Sequence, residues 1–126
     1  MSFSPKFVHI AKIRLTINSD DATAMFVLAK HYGRAKFAKS FRLFQESSTR
    51  GHVGACYEMA RLYYLGDWIH GVSQNREIAQ HYVLLGKDPK NRHTRFDTPF
   101  YNQAKWICDL EKNFHFLLEK EKISKL

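Results

Sequence analysis

Histidine and cysteine are the side chains best suited to chemistry in this 126-residue chain, which has seven histidines and two cysteines. His52 and Cys56 are four residues apart, so a helix would place both on one face as candidate zinc ligands. Folding would have to bring Cys108, His81 or His115 to them. Zinc sites usually show C-x-x-C or H-x-x-x-H spacing, and the sequence has neither. The sequence therefore predicts packed or surface residues, two free thiols and no bound metal.

Recognisable catalytic motifs are missing as well. The sequence has no G-x-S-x-G motif, no glycine-rich phosphate loop and no cysteine in a distinctive catalytic context. The carboxylates of Glu111, Glu119 and Glu121 are typical of a solvated helix face. These observations favour a non-enzymatic protein with no catalytic residues and no cofactor.

An internal repeat gives the organisation of the chain. A first block recurs at one constant separation, in the pairs Ala24/Ala55, Phe26/Tyr57, Leu28/Met59, Ala29/Ala60 and Tyr32/Tyr63. A second block recurs at a longer constant separation, in the pairs Ala38/Ala79, Phe41/Tyr82, Leu43/Leu84 and Phe44/Leu85. Each block has apolar residues at helical spacing, as Ala55, Met59, Leu62 and Tyr63 illustrate. We predict two helical hairpins, in which 21–33 pairs with 36–48 and 53–65 pairs with 75–86.

These residues resemble the Sel-like repeat family, a branch of the tetratricopeptide-like α-α repeats. The family unit runs small, aromatic, leucine, small, tyrosine, glycine, then Gly-Val, an acidic or amide residue and alanine. The matching positions here are Ala55, Tyr57, Met59, Ala60, Tyr63, Gly66, Gly71, Val72, Asn75 and Ala79. The resemblance covers about two units, 21–48 and 53–86, and implies a single all-α helical-repeat domain over 1–126.

The flanking sequences predict capping helices, because repeat arrays need end elements that cover the exposed face of the outer units. Ser4-Pro5 and Thr98-Pro99 each combine an N-cap residue with a proline suited to the first helical turn. The second signal predicts a helix over about 98–122. At the N-terminal end, the alternation of Ile13, Leu15 and Ile17 also permits a short strand.

The chain carries a net charge of +8, and this charge is concentrated in the first half. The densest run of cations comprises Lys30, Arg34, Lys36, Lys39, Arg42 and Arg50, with Glu46 as the one acidic residue among them. Such patches speed encounters with acidic partners. The sequence has no apolar run of transmembrane length and no secretory signal pattern, so we expect a cytoplasmic protein with no membrane partner.

A second stripe on the first helix of the later unit has the residue types of a binding surface. Tyr57, Arg61, Tyr64 and Trp68 follow one another at helical spacing, and Tyr, Trp and Arg are enriched at binding hot spots. In tetratricopeptide-like folds the first helices line the concave surface, and the corresponding upstream residues are Phe26, Lys30 and Arg34. We predict that these seven residues form the partner-binding surface; the alternative for the tyrosines is packing against the neighbouring hairpin.

The resemblance and the short chain together suggest a protein that binds one protein partner. Small bacterial Sel-like proteins resemble immunity or inhibitor proteins, which implies a cognate toxin or effector, one with an acidic surface. Two alternatives are a basic protein associated with nucleic acid and a phage-encoded inhibitor of a bacterial defence complex. Nucleic acid is less favoured, because Phe41 and Phe44 in the basic region align with core positions of the repeat.

Overall fold

The computed structural model describes residues 4–90 and residue 112, and within that part the fold is all-α. The described residues form five α-helices: α1 (Pro5–Ile17), α2 (Ala22–Tyr32), α3 (Phe37–Thr49), α4 (Val53–Leu65) and α5 (Arg76–Lys87). The segment from Pro5 to Ile17 is helical, so the strand alternative is wrong. The expected capping helix over 98–122 lies outside the described residues, apart from residue 112.

The two hairpins are formed as predicted, by α2 with α3 and by α4 with α5. Each helix packs against the next one along the chain, and α3 lies between α2 and α4. The first helices of the two hairpins also begin alike. Asp21 and His52 occupy equivalent positions of the first-block repeat, and each caps its helix by accepting a hydrogen bond from the backbone N–H three residues later. The first-block repeat in the sequence is therefore matched by equivalent helix starts in the structure.

Two apolar clusters form the core. One joins α1 to α2 and reaches Ala55, while the other joins α4 to α5. Phe44 of α3 packs against both clusters and so connects the two hairpins. Ala29 and Ala60, which are paired by the first-block repeat, are both fully buried.

The predicted register of the second block is wrong, because Ala38 is exposed whereas Ala79 is fully buried. The buried counterpart of Ala79 on α3 is Ser40, two positions further along the chain than Ala38. Ser40 and Ser47 fill small positions against α2, where their hydroxyls donate to backbone carbonyls of Ala29 and Ala22 at 2.8 and 2.7 Å. A buried hydroxyl is tolerated there because its hydrogen bond is satisfied.

The connection between α4 and α5 is a structured turn. The backbones of Asp67 and Val72 exchange two hydrogen bonds of 2.8 Å, and a short 3-10 turn spans Trp68–His70. Gly66 and Gly71 both have positive φ, which favours glycine, and a Cβ on Gly66 would lie 3.0 Å from the backbone nitrogen of Gln74. We call residues 66–72 the capped turn.

Candidate partner-binding groove

A groove of about 610 Å3 opens between the two hairpins. One wall comes from the C-terminal end of α2, the other from the second half of α4, and the capped turn closes one end. The floor comes from α3, which lies between the two walls. We call this space the groove; its lining includes Lys30, Arg34, Phe37, Phe41, Phe44, Glu58, Arg61, Leu62, Leu65, Asp67, Trp68 and Ile69.

The floor of the groove is aromatic. Phe37, Phe41 and Phe44 lie along one face of α3 at i, i+4 and i+7, and they line the groove together. Phe41 and Phe44 are half-buried and pack against the core on their inner sides, and the ring centroid of Phe37 lies 5.8 Å from that of Phe41. Their positions are therefore fixed by packing, while their outer surfaces remain available to a ligand.

Two ion pairs cross the groove from α2 and the residues after it to the second hairpin. Lys30 Nζ lies 3.1 Å from Glu58 Oε1, and both side chains are partly buried. Arg34 lies 3.5 Å from Asp67 Oδ2, but its side chain remains 75% exposed. An exposed pair of this kind contributes little stability, because water screens it and two side chains must be held in place. Arg34 can therefore exchange this contact for one with a partner.

Asp67 organises the capped turn through His70. Its Oδ2 atom lies 2.8 Å from His70 Nδ1, and its Oδ1 accepts a hydrogen bond from the His70 backbone nitrogen. These contacts with His70, and more weakly the charge of Arg34, lower the pKa of the Asp67 carboxyl below its ordinary value. The His70 ring also stacks on Phe37, with centroids 4.2 Å apart. The turn is thereby attached to the floor of the groove.

Four predicted site residues meet at the groove: Lys30, Arg34, Arg61 and Trp68. Trp68 is 88% exposed and stands on the capped turn beside Ile69, which is 65% exposed. Arg61 is exposed on α4, and within the described part of the chain no carboxylate lies in ion-pair distance of it. The exposed side chains of Arg61 and Trp68 have no evident role in the core, so they are available for binding.

The other three predicted site residues, Phe26, Tyr57 and Tyr64, are buried, so their predicted place on the concave surface is wrong. The Phe26 ring stacks on His52 at a centroid distance of 4.5 Å. Tyr57 packs against Gly86 of α5, where an added Cβ would lie 3.4 Å from its ring. Tyr64 lies beneath the Arg76 guanidinium, 5.2 Å from the ring centroid.

Neither the aromatic floor nor Ile69 is predicted from the sequence as part of the site. Phe41 and Phe44 are predicted as core residues in the basic region, although the i, i+4, i+7 spacing of Phe37, Phe41 and Phe44 on one helix is visible in the sequence. No pattern in the sequence indicates that this face of α3 meets a gap between neighbouring helices. That gap depends on how the two hairpins pack.

The basic run of residues 30–50 does not form one uncompensated face. Besides the pairs at Lys30 and Arg34, Arg42 lies 3.8 Å from Glu46, and Arg50 lies 3.1 Å from Asp20. The ammonium groups of Lys36 and Lys39 each lie 5.6 Å from the centroid of the Tyr32 ring. Within the part of the chain that the structure describes, folding therefore brings a carboxylate to four of these six cations.

His52 and Cys56 are both engaged with the backbone. His52 Nδ1 accepts a hydrogen bond of 3.1 Å from the Ala55 nitrogen, and the Cys56 thiol lies 3.7 Å from the Ser48 carbonyl oxygen. Cys56 is a free, buried thiol, and burial raises its pKa from 9.0 to about 12. Within residues 4–90 and 112, no three His, Cys, Asp or Glu side chains form a group able to hold a metal ion. Cys108 and His115 lie outside the described residues.

Comparison with known proteins finds no family model, no curated protein and no solved structure that matches this chain. Within the described part of the chain, none of the helices has the length and apolar character needed to cross a bilayer.

Proposed function

We propose that this chain is a non-enzymatic protein-binding module, a short Sel-like α-α repeat that holds one protein partner at the groove. The observation that carries the proposal is a concave space with an aromatic floor, beside an exposed tryptophan and an exposed arginine. Tryptophan and arginine are among the residue types most enriched at binding hot spots. A preformed concave surface of this kind is typical of helical-repeat proteins that bind other proteins.

In its most specific form, the proposal is that the protein acts in the cytoplasm as an immunity-type inhibitor, which binds and neutralises a cognate toxin or effector. This form rests on the resemblance to Sel-like repeats together with the groove. The order of the capped turn supports a role in inhibition, because a surface that is already ordered loses less entropy on binding. A tight complex with one partner is what an inhibitor requires.

The test is affinity purification with the full chain and two kinds of variant. Arg61→Ala and Trp68→Ala alter the groove, while combined charge reversal at Lys36, Lys39 and Arg42 alters the surface outside it. We expect the groove variants to lose the partner that the native chain and the charge-reversed chain retain. A true hot spot costs about 2 kcal/mol on truncation, or about thirtyfold in affinity.

Neutralisation is tested by expressing the captured partner in bacteria with and without this chain. Rescue of growth by the native chain, and loss of rescue in the Arg61→Ala/Trp68→Ala chain, would support the inhibitor form. Far-UV circular dichroism serves as the control for folding. Because both side chains are exposed, we expect the substitutions to leave the helical signal unchanged. If the charge-reversed chain alone loses the partner, the groove is not the binding surface.

A further inference from the structure

The size of the groove limits what can enter it. About 610 Å3 accommodates a few side chains. A stable protein interface, by contrast, covers about 800 Å2 on each partner. If the proposed function is right, the groove therefore receives one segment of the partner, and the remaining contacts lie around its rim.

The aromatic floor of the groove favours binding of an apolar side chain of the partner. Phe41 and Phe44 are held from behind by the core, Phe37 lies against Phe41, and Leu62 of α4 also lines the groove. A large apolar residue placed there would remove aromatic surface from water without rearranging the floor. Trp68 stands at the end of this floor and would cover the inserted residue.

The charged residues around the groove favour binding of a carboxylate of the partner. Among the described residues that line the groove, three cations, Lys30, Arg34 and Arg61, face two carboxylates, Glu58 and Asp67. Glu58 is paired with Lys30, and Asp67 is occupied by His70 and Arg34. Arg61 thus adds a positive charge that no carboxylate of the described residues compensates, and a guanidinium is well suited to bidentate pairing with a carboxylate.

We propose that the groove binds an acidic segment of a partner protein, with one large apolar side chain on the aromatic floor and a carboxylate beside Arg61. This inference rests on the proposed function and specifies the chemistry of the partner. A peptide segment is favoured over nucleic acid because Lys36 and Lys39 lie outside the groove, which leaves few cations for a run of phosphates. A lipid surface is disfavoured because a flat bilayer does not reach a recessed floor.

The test uses short synthetic peptides, acetylated and amidated, with one central Leu or Phe in a Gly/Ser background. Two Glu residues are placed at varied spacing from the apolar residue, and each peptide has a matched version with Gln in place of Glu. The protein is the full chain with Trp106→Phe, which leaves Trp68 as its single tryptophan. Binding is followed by Trp68 fluorescence and by calorimetry.

We expect at least one acidic peptide to bind about tenfold more tightly than its Gln counterpart, with a blue shift of Trp68 emission. Arg61→Gln should abolish this preference. Lys39→Gln removes the same charge outside the groove and should leave the preference intact. The inference is overturned if no acidic peptide binds at about 1 mM, if the Gln peptides bind equally well, or if only a single-stranded oligonucleotide or an anionic vesicle binds.

The two proposals can fail separately. If a captured partner protein depends on Arg61 and Trp68 while every acidic peptide fails, the binding function stands and the acidic-segment chemistry is wrong. If captured partners are insensitive to both residues, the groove itself is not the binding surface, and the proposed function fails with it.

Discussion

The buried thiol of Cys56 should make the protein less stable at alkaline pH. Cys56 is fully buried on α4. It lies close to α5, because a Cβ added to Gly86 would lie 3.2 Å from the Cβ of Cys56. Water cannot solvate a thiolate at this site, so burial raises the pKa of the thiol from 9.0 to about 12. The folded protein therefore holds the proton over a pH range in which the unfolded chain releases it.

The sign and size of the effect follow from proton linkage. Above pH 9 the unfolded chain binds fewer protons at Cys56 than the folded chain does, so the free energy of unfolding falls as pH rises. The stabilisation is fully present below pH 9 and is lost on the way to about pH 12. The loss is on the order of 1 kcal/mol at pH 10 and approaches about 4 kcal/mol near pH 12.

Urea unfolding at several pH values between neutral and moderately alkaline measures this loss. The protein is compared with its Cys56→Ala variant, both carrying Cys108→Ser so that one thiol is followed. Tyr82 also has a raised pKa, mainly through burial, but it is present in both proteins and cancels to first order in their difference. A difference in unfolding free energy between the two proteins that stays constant with pH would show that burial does not raise the pKa of Cys56. Rapid alkylation of Cys56 by iodoacetamide in the native protein would show this as well.

Three further predictions concern packing and caps. Ala60→Leu should cost about 1–3 kcal/mol by overpacking, measured by thermal unfolding. Ala38→Leu, on the exposed face of α3, is the matched control and should leave the melting temperature nearly unchanged. The Asp67 carboxyl should titrate below its ordinary pKa in a 13C NMR experiment; its stabilising contribution should disappear as pH falls through that lowered value, and His70→Ala should move the pKa back up. His52→Ala removes an N-cap and a fully buried ring together, so it should lower the midpoint of urea unfolding clearly, and an unchanged midpoint would contradict its role as the cap.

The hairpins could be predicted from the sequence because their signals are local. Helical periodicity, capping residues and glycines are patterns among residues only a few positions apart. In the first block, which pairs Ala24 with Ala55, both copies have the same helical periodicity. The second block aligns Ala38 with Ala79, because alanine is the usual small buried residue. Ser40 takes the buried place instead, because the Ala29 carbonyl oxygen on α2 satisfies its hydroxyl. Sequence similarity cannot reveal an acceptor on a neighbouring helix.

The predicted stripe on α4 is exposed only in part, for a related reason. The prediction assumes that when one side of a helix packs against the core, the opposite side is exposed to solvent. The α4 helix packs against α3 on one side and α5 on the other, so Tyr57 and Tyr64 are buried as well. Arg61 and Trp68 lie toward the end of the hairpin, where the neighbouring helices leave the groove open.

The helices, their pairing into hairpins and the hot-spot residue types could therefore be inferred from the sequence, since these depend on short-range periodicity and side-chain chemistry. The burial of each aromatic residue, the pairing of the cations and the position of the groove are properties of the folded protein. Those properties depend on distances between residues that are remote in sequence, such as Lys30 and Glu58. Whether a charged side chain is solvated by water or paired with an opposite charge depends on which residues folding places beside it.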